Sequence, residues 1–401
     1  MTNSNCQKLS AIQIFAIFLR LGLTSFGGPI AHLGYFREEF VARRKCLSDD
    51  SYADLVALCQ FLPGPTSSQV ALGIGISQSG IRGAVAAWIG FTMPSALALI
   101  LFAYGISGLQ GSVAQIGWLH GLKVVAVAVI AQAIWGMAKI LCPDRTCGTI
   151  TILSAVFVLL CHSSWGQILV ILLSGLFGLF FLKIDTMPHR ASLHVPISHF
   201  AAIICICLFA VLLFGMPLLV ILAPNHTLEL IDSFYRTGSL VFGGGHVVLP
   251  LLQTEVVSQG WLSNDLFLAG YGATQAVPGP LFTFAAYLGV VIQPGPGGWV
   301  GGMICLISIF LPSFLLLFGI LPYWEQLRQK KPVRCALMGV NAAVVGLLLA
   351  AFYNPVWTSS IVAVKDFILG LVAFGLLVLW KISPWIVVAF GALGAAALAM
   401  V

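Results

Sequence analysis

FLRLGLTSFGGP (Phe18 to Pro29) and FYRTGSLVFGGG (Phe234 to Gly245) are two versions of one segment, and they decide how this chain is read. Downstream of the first stands QFLPGP (Gln60 to Pro65), and downstream of the second QAVPGP (Gln275 to Pro280). FTMPS (Phe91 to Ser95) and IFLPS (Ile309 to Ser313) complete the series. The offsets are 216 from Phe26 to Phe242, 215 from Pro63 to Pro278 and 218 from Pro94 to Pro312. Three blocks in one order and one register make a duplication. Each block puts Gly and Pro beside or inside apolar helices, where they are costly unless the break has a use.

Composition places the duplication in a membrane. Of 401 residues, 59% are hydrophobic and 8% charged, with a mean hydropathy of +1.02. A soluble domain carries about 25% charged residues. The polar N-terminus (MTNSNCQK) lacks the basic stretch and short apolar core of a removable signal peptide. Among ten cysteines, Cys59, Cys161, Cys205, Cys207 and Cys305 lie in apolar runs and no CxxC occurs, so they read as small apolar helix residues. The eight histidines are scattered without an HxxxH, and no metal site is expected. The net charge of +6 belongs to loops of cytoplasmic type and does not indicate nucleic acid.

Segments long enough to span are Arg82–Tyr104, Trp118–Ile140, Ser198–Leu222, Trp299–Leu321, Arg334–Phe352 and Ser359–Trp380. Thr149–Cys161 with Trp165–Leu182 reads as a tight pair of short spans, and Pro384–Val401 as the last one. Other segments fit badly as single spans. Ser51–Leu62 and Thr66–Ser77 are each about 18 Å of helix, joined at Pro63-Gly64-Pro65. Two half-depth helices meeting at such a tip predict a re-entrant hairpin. Asp265–Val277 with Leu281–Val291 is its repeat. Leu9–Phe26 with Ile30–Val41, and Leu228–Phe242 with His246–Val257, read in the same way.

Charge orients these elements. With the N-terminus inside and each hairpin returning to its own face, Arg37, Arg43, Arg44, Lys45, Arg82, Lys139, Arg145, Lys183 and Arg190 all fall on the cytoplasmic side. The loop Gln253 to Asn264 carries no Lys or Arg, where its counterpart in the first half has four. The expected fold is therefore an all-α polytopic membrane protein of two inverted homologous halves. Each half has re-entrant helical hairpins plus about four spans, and one extra span joins them. The boundaries are 1–182 for the first repeat, 183–225 for a linker with one transmembrane helix, and 226–401 for the second, inverted repeat. The N-terminus is expected in the cytoplasm and the C-terminus in the periplasm.

The candidate chemistry lies in the repeated blocks. Arg20 and Arg236 are equivalent, and each sits in an apolar helix six residues before the Phe of its FGG. Such an arginine faces a cavity or a partner; the alternatives are snorkelling or pairing with Glu39 or Glu255. The tips are Gly27, Gly28 and Pro29; Pro63, Gly64 and Pro65; Gly243, Gly244 and Gly245; and Pro278, Gly279 and Pro280. Their glycines allow tight turns, and each returning helix presents free N–H groups at mid-depth, which is an anion site. Thr66, Ser67, Ser68 and Thr283 can donate to oxyanion oxygens. Gln60 and Gln275 either hydrogen-bond a ligand or brace the turn. His32 and His246 read as structural before proton-carrying, and Glu39 and Glu255 either couple proton movement or pair with the arginines. For Lys123, in an apolar span, snorkelling is the expectation, with coupling as the alternative.

These residues resemble the chromate ion transporter family. The resemblance rests on FGGPIAHLGYFREEFV (Phe26–Val41), LCQFLPGPTSSQVALGIG (Leu58–Gly75), FGGGHVVLPLLQTEVV (Phe242–Val257) and GATQAVPGPLFTFAAYLG (Gly272–Gly289), and covers nearly the whole chain in its two-domain form. It implies a bacterial inner-membrane carrier that expels chromate and confers resistance, with sulfate as the structural analogue. It implicates the arginines, Glu39, Glu255 and the four tips. The expected partners are chromate or a sulfate-like oxyanion, the lipid bilayer and a second copy in a homodimer. No cofactor is expected, and no P-loop points to ATP. A sulfate carrier of the same build is the nearest rival, ahead of an anion channel. An intramembrane enzyme would need a nucleophile–base set or metal cluster, and none is read.

Overall fold

The computed structural model describes residues 8–26, 28–107, 117–161, 164–182, 197–242 and 245–398. The described residues form helices α1 (Ala11–Thr24), α2 (Gly28–Arg37), α3 (Asp49–Phe61), α4 (Thr66–Ser107), α5 (Gly117–Leu141), α6 (Arg145–Leu160), α7 (Ser164–Phe181), α8 (His199–Leu222) and α9 (His226–Leu240). They continue with α10 (Val248–Val256), α11 (Asn264–Thr274), α12 (Phe284–Val291), α13 (Gly298–Ile320), α14 (Trp324–Arg328), α15 (Lys331–Ala351), α16 (Thr358–Ser360), α17 (Val364–Val378) and α18 (Pro384–Leu398). No strand occurs among the described residues. Among them, five helical stretches are long and apolar enough to cross a membrane, including α5, α8 and the stretch Gly298–Leu327.

Local sequence explains the boundaries. Ser10 caps α1 with a reciprocal bond to Gln13, and Ser48 and Ser263, equivalent in the repeat, cap α3 and α11. α4 is two rods. Ser79 and Gly80 leave helical geometry, with Gly80 at φ 63°, so 66–78 and 81–107 are separate arms. The first arm and α3 are about 20 Å each, short of the ~30 Å hydrocarbon core. α11 and α12 are shorter still, with a single 3₁₀ turn, Leu281–Thr283, leading into α12.

Two expectations need adjusting. The span expected from Ser359 begins as the short α16, breaks at Ile361, and resumes only at Val364. Pro94 and Pro312 break nothing: both lie inside continuous helix. They mark the place where the second arm of α4 meets α13. Trp88 stacks edge-on against Phe310 and Phe314, Ile100 lies beside Gly302, and Trp299 N–H donates to Tyr104 Oη at 3.0 Å. As the α4 arm advances from Trp88 to Tyr104, its partner retreats from Phe314 to Trp299. These two equivalent helices pack antiparallel.

Packing repeats in both halves. Gly22 lies against the backbone of Gly90 and Phe91, and its equivalent Gly238 against that of Ile309; Gly75 lies against Gly83, and Gly289 against Gly301. The remaining helices exchange sides. α5 packs on α17 and α18 of the second half, while α15 packs on α6 and α7 of the first. The close approaches match: Gly121 meets Gly391, and Gly339 meets Ser174. α8 stands outermost and exposes Phe200, Val211, Phe214 and Ile221.

Candidate functional site

The tips of the hairpins cross between the halves. Gly64 N–H donates to the carbonyl of Val241 at 2.6 Å, and Gly279 N–H donates to the carbonyl of Ser25 at 3.1 Å. Ser25 and Val241 are equivalent at offset 216, as Gly64 and Gly279 are at 215. Each Pro-Gly-Pro tip therefore closes on the residue that precedes Phe-Gly-Gly in the other half. Gly64 has φ 117° and Gly279 φ 107°, and a Cβ on either would run into Ser313 Oγ or Ser95 Oγ respectively. Those serines belong to the third block of the opposite half. All three repeated motifs thus converge at one place.

A cavity of about 60 Å³ lies at the second crossing. It is lined by Ser25 and Gly28 of the first half, by His246, Thr274, Gln275, Val277, Gly279 and Leu281 of the second, and by Val129, Gln132 and Pro384. A water needs roughly 10–15 Å³ of such space, so four or five oxygen-sized atoms fit. Gly28, with φ 75°, begins α2, and Leu281 begins the turn into α12. Two helix starts, with N–H groups that have no intrahelical partner, meet there. Ser25 Oγ and Gln275 Nε2 are buried without a hydrogen-bond partner. An orphan polar group costs about 1–3 kcal/mol, so two donors on one cavity call for an acceptor. No lysine or arginine is among the lining residues.

The other sequence candidates sit around this point. His32 is buried, donates from Nε2 to the Ser25 carbonyl at 3.1 Å and stands edge-on to Phe91. His246 Nδ1 bonds the Tyr271 hydroxyl at 2.8 Å. Both are held by neutral partners. Pro29 follows Gly28 in the first turn of α2, and Gly245 opens the 3₁₀ turn before α10. Pro63, Pro65, Pro278 and Pro280 frame the two crossed glycines. Gly27, Gly243 and Gly244 lie outside the described residues. Thr66, Ser67, Ser68 and Thr283 are buried; Thr283 bonds the Pro280 carbonyl, and Ser68 Oγ has no partner. Gln60 is exposed, so the two glutamines occupy different surroundings.

The arginines do not reach the cavity. Arg20 pairs with Glu39 at 2.6 Å, and Arg236 pairs with Glu255 at 2.9 Å, the equivalent contact. Glu39 is buried and also holds Arg43 and Arg44; Arg236 also holds Asp232. Of the alternatives read for these residues, the structure takes the pairing of arginine with glutamate. Lys123 does not snorkel. It is buried, and its Nζ meets Asp265 at 2.6 Å, because a carboxylate at the start of α11 satisfies it inside the protein. Ser25, Thr274 and Gln132 were not singled out from sequence. Ser25 carried a signal: it is the hydroxyl next to the first Phe-Gly-Gly, where the second half has Val241.

A larger cavity of about 300 Å³ lies between Gln167, Gln253, Thr254, Asn264 and Asn354. None of the Gly/Pro tips lines it, and the side-chain amides of Gln167 and Gln253 already donate to Thr254 and Asn264. The smaller cavity is the candidate.

Comparison with known proteins agrees with this architecture. The chromate transporter family model matches the chain twice, over residues 12–179 and 228–396. A chromate transport protein of Pseudomonas aeruginosa is 28% identical over 346 residues, covering 85% of this chain and 80% of that one. An uncharacterized transporter of Methanocaldococcus jannaschii is 28% identical over 344 residues, 85% of this chain and 83% of that one. An uncharacterized transporter of Bacillus subtilis is 34% identical over 125 residues, 31% of this chain and 68% of that one. No solved structure matches the chain. With the family model matched over both halves, and with membrane-length apolar helices, the chain belongs to the chromate transporter family and is a transporter, not an enzyme.

Proposed function

We propose that this protein is a secondary carrier that moves chromate outward across a bacterial inner membrane, and that the ion rests in the cavity where the second-half Pro-Gly-Pro tip crosses the first-half Phe-Gly-Gly tip. The observation that carries this reading is the pair of orphan donors, Ser25 Oγ and Gln275 Nε2, beside two helix starts in a space of tetrahedral-ion size. Neutral donors and helix N-termini attract a dianion without a fixed counter-charge, so the ion can also leave. Val277 and Gly279 line the cavity from the second half, and Ser25 and Gly28 from the first. Arg20 and Arg236 then act at the two approaches rather than on the resting ion.

The antiparallel packing of the equivalent helices, the second α4 arm and α13, supports inverted halves, 1–182 and 226–401, with α8 as the added span between them. With Arg43, Arg44 and Lys45 in the cytoplasm, the N-terminus is inside and the C-terminus outside. In an inside-negative cell, outward movement of two negative charges is favoured by about 4–5 kcal/mol per 100 mV.

The test is flux of radiolabelled chromate in everted membrane vesicles. Saturable uptake that increases when the lumen is made positive is the expected result. Flux that does not saturate would replace the carrier with a channel. Full inhibition by equimolar sulfate would replace chromate with sulfate as the substrate.

A further inference from the structure

The two equivalent arginine–glutamate pairs are chemically unequal. Around Glu39, three arginines gather on one buried carboxylate: Arg20 and Arg44 at 2.6 Å and Arg43 at 3.1 Å. Around Glu255, one arginine is shared by two carboxylates, with Asp232 at 3.1 Å and Glu255 at 2.9 Å. The first cluster carries two net positive charges and the second one net negative charge. The positions equivalent to Arg43 and Arg44 are Gln259 and Gly260, and the position equivalent to Asp232 is Ala16. The difference therefore arose after the duplication, at residues beside a shared pair.

Neighbouring charges keep the contrast. Arg37 pairs with Asp49, and with Lys45, Glu38 and Asp50 counted in, Arg20 and the segment 37–50 together remain net positive. At the second cluster, Glu229 is held by His226, so the balance stays negative. Arg20 and Arg43 remain about half exposed, at 49% and 59%, while Glu39 is covered. Their guanidinium groups therefore retain free donors toward solvent, in the planar geometry that suits an oxyanion.

We infer that Arg20, Arg43 and Arg44 form an anion-capture site at the mouth of the first half, and that Asp232 with Glu255 makes the opposite mouth a discharging one. The two faces then differ in affinity for a divalent oxyanion. This rests on the inverted arrangement and the oxyanion reading proposed above, since inversion is what sends the two clusters to opposite faces. A carrier supplies no energy of its own, so at zero potential kcat/KM is equal from both faces, and the asymmetry lies in KM and kcat separately. Charges at a mouth act through attraction over a Debye length, so their effect fades with salt.

The experiment measures chromate flux in right-side-out and everted vesicles, for the wild type, the Arg43→Gln/Arg44→Gln double variant and Asp232→Asn. The double variant keeps the Arg20–Glu39 pair. Expected are a lower KM from the face bearing Arg43, and a rise in that KM of about tenfold in the double variant at low salt. The rise should collapse at about 0.5 M salt and leave the other face unchanged. Asp232→Asn should lower KM from the other face only. Saturable flux with equal KM at the two faces, or a change of equal size at both, would overturn the capture site alone. Absence of saturable chromate flux in the wild type would overturn the carrier reading and this inference with it.

Discussion

At the residue scale, the crossed glycines and the paired arginines carry the tightest expectations. Gly64 and Gly279 combine positive φ with no room for a Cβ, whereas Gly28 has positive φ and open space around it. Gly64→Ala and Gly279→Ala should therefore lower membrane abundance and abolish flux. Gly28→Ala should cost only the backbone strain, about 1–2 kcal/mol, and leave a folded protein with weakened transport. Abundance by immunoblot and flux per folded protein check this. The arginines should separate in the opposite sense to their exposure. Arg236→Gln leaves Asp232 and Glu255 facing each other without a cation, while Arg20→Gln leaves Glu39 with Arg43 and Arg44. A buried pair broken on one side costs about 3–5 kcal/mol, so thermal melting in detergent should fall several degrees for Arg236→Gln and little for Arg20→Gln. Sequence exposed the equivalence of the two arginines, because they share a register. It left their partners open, because a glutamate 19 positions away on a returning helix is a neighbour only if the hairpin closes.

At the element scale, the hairpins were legible and their crossings were not. A Pro-Gly-Pro between two apolar stretches of about a dozen residues cannot be one straight helix, so α3 with the first arm of α4, and α11 with α12, follow from local chemistry. Which tip closes on which depends on the packing of α4 against α13, a contact between residues more than 200 positions apart. The same limit explains Lys123. Its partner Asp265 is 142 positions away, so composition alone favoured snorkelling. The pair joins α5 to the start of α11 and is unequal in burial, with Lys123 at 3% and Asp265 at 39% exposure. Asp265→Asn strands a buried ammonium, whereas Lys123→Met fills its place with apolar atoms. Asp265→Asn should therefore melt several degrees lower than the wild type, and Lys123→Met close to it. Equal losses would mean that packing, not charge, holds this joint.

At the scale of the whole molecule, the halves exchange helices as well as tips. α5 lies with α17 and α18, and α15 with α6 and α7, so neither half has a complete core of its own. Segments 1–192 and 193–401 expressed separately should each be degraded, and co-expressed should accumulate and co-purify. Stable accumulation of either alone would contradict the exchange. The central claim is that the crossed tips hold the oxyanion, and equilibrium binding of chromate to the purified protein tests it most directly, comparing wild type with Ser25→Ala/Gln275→Leu. A hydrogen bond to a charged group contributes about 1.5–3 kcal/mol, so each donor should account for about tenfold or more in affinity. Because both donors are orphans without ligand, the double variant should melt no lower than the wild type in the absence of chromate. A loss of roughly a hundredfold in affinity with unchanged melting is the predicted result; wild-type affinity in the double variant would contradict the account.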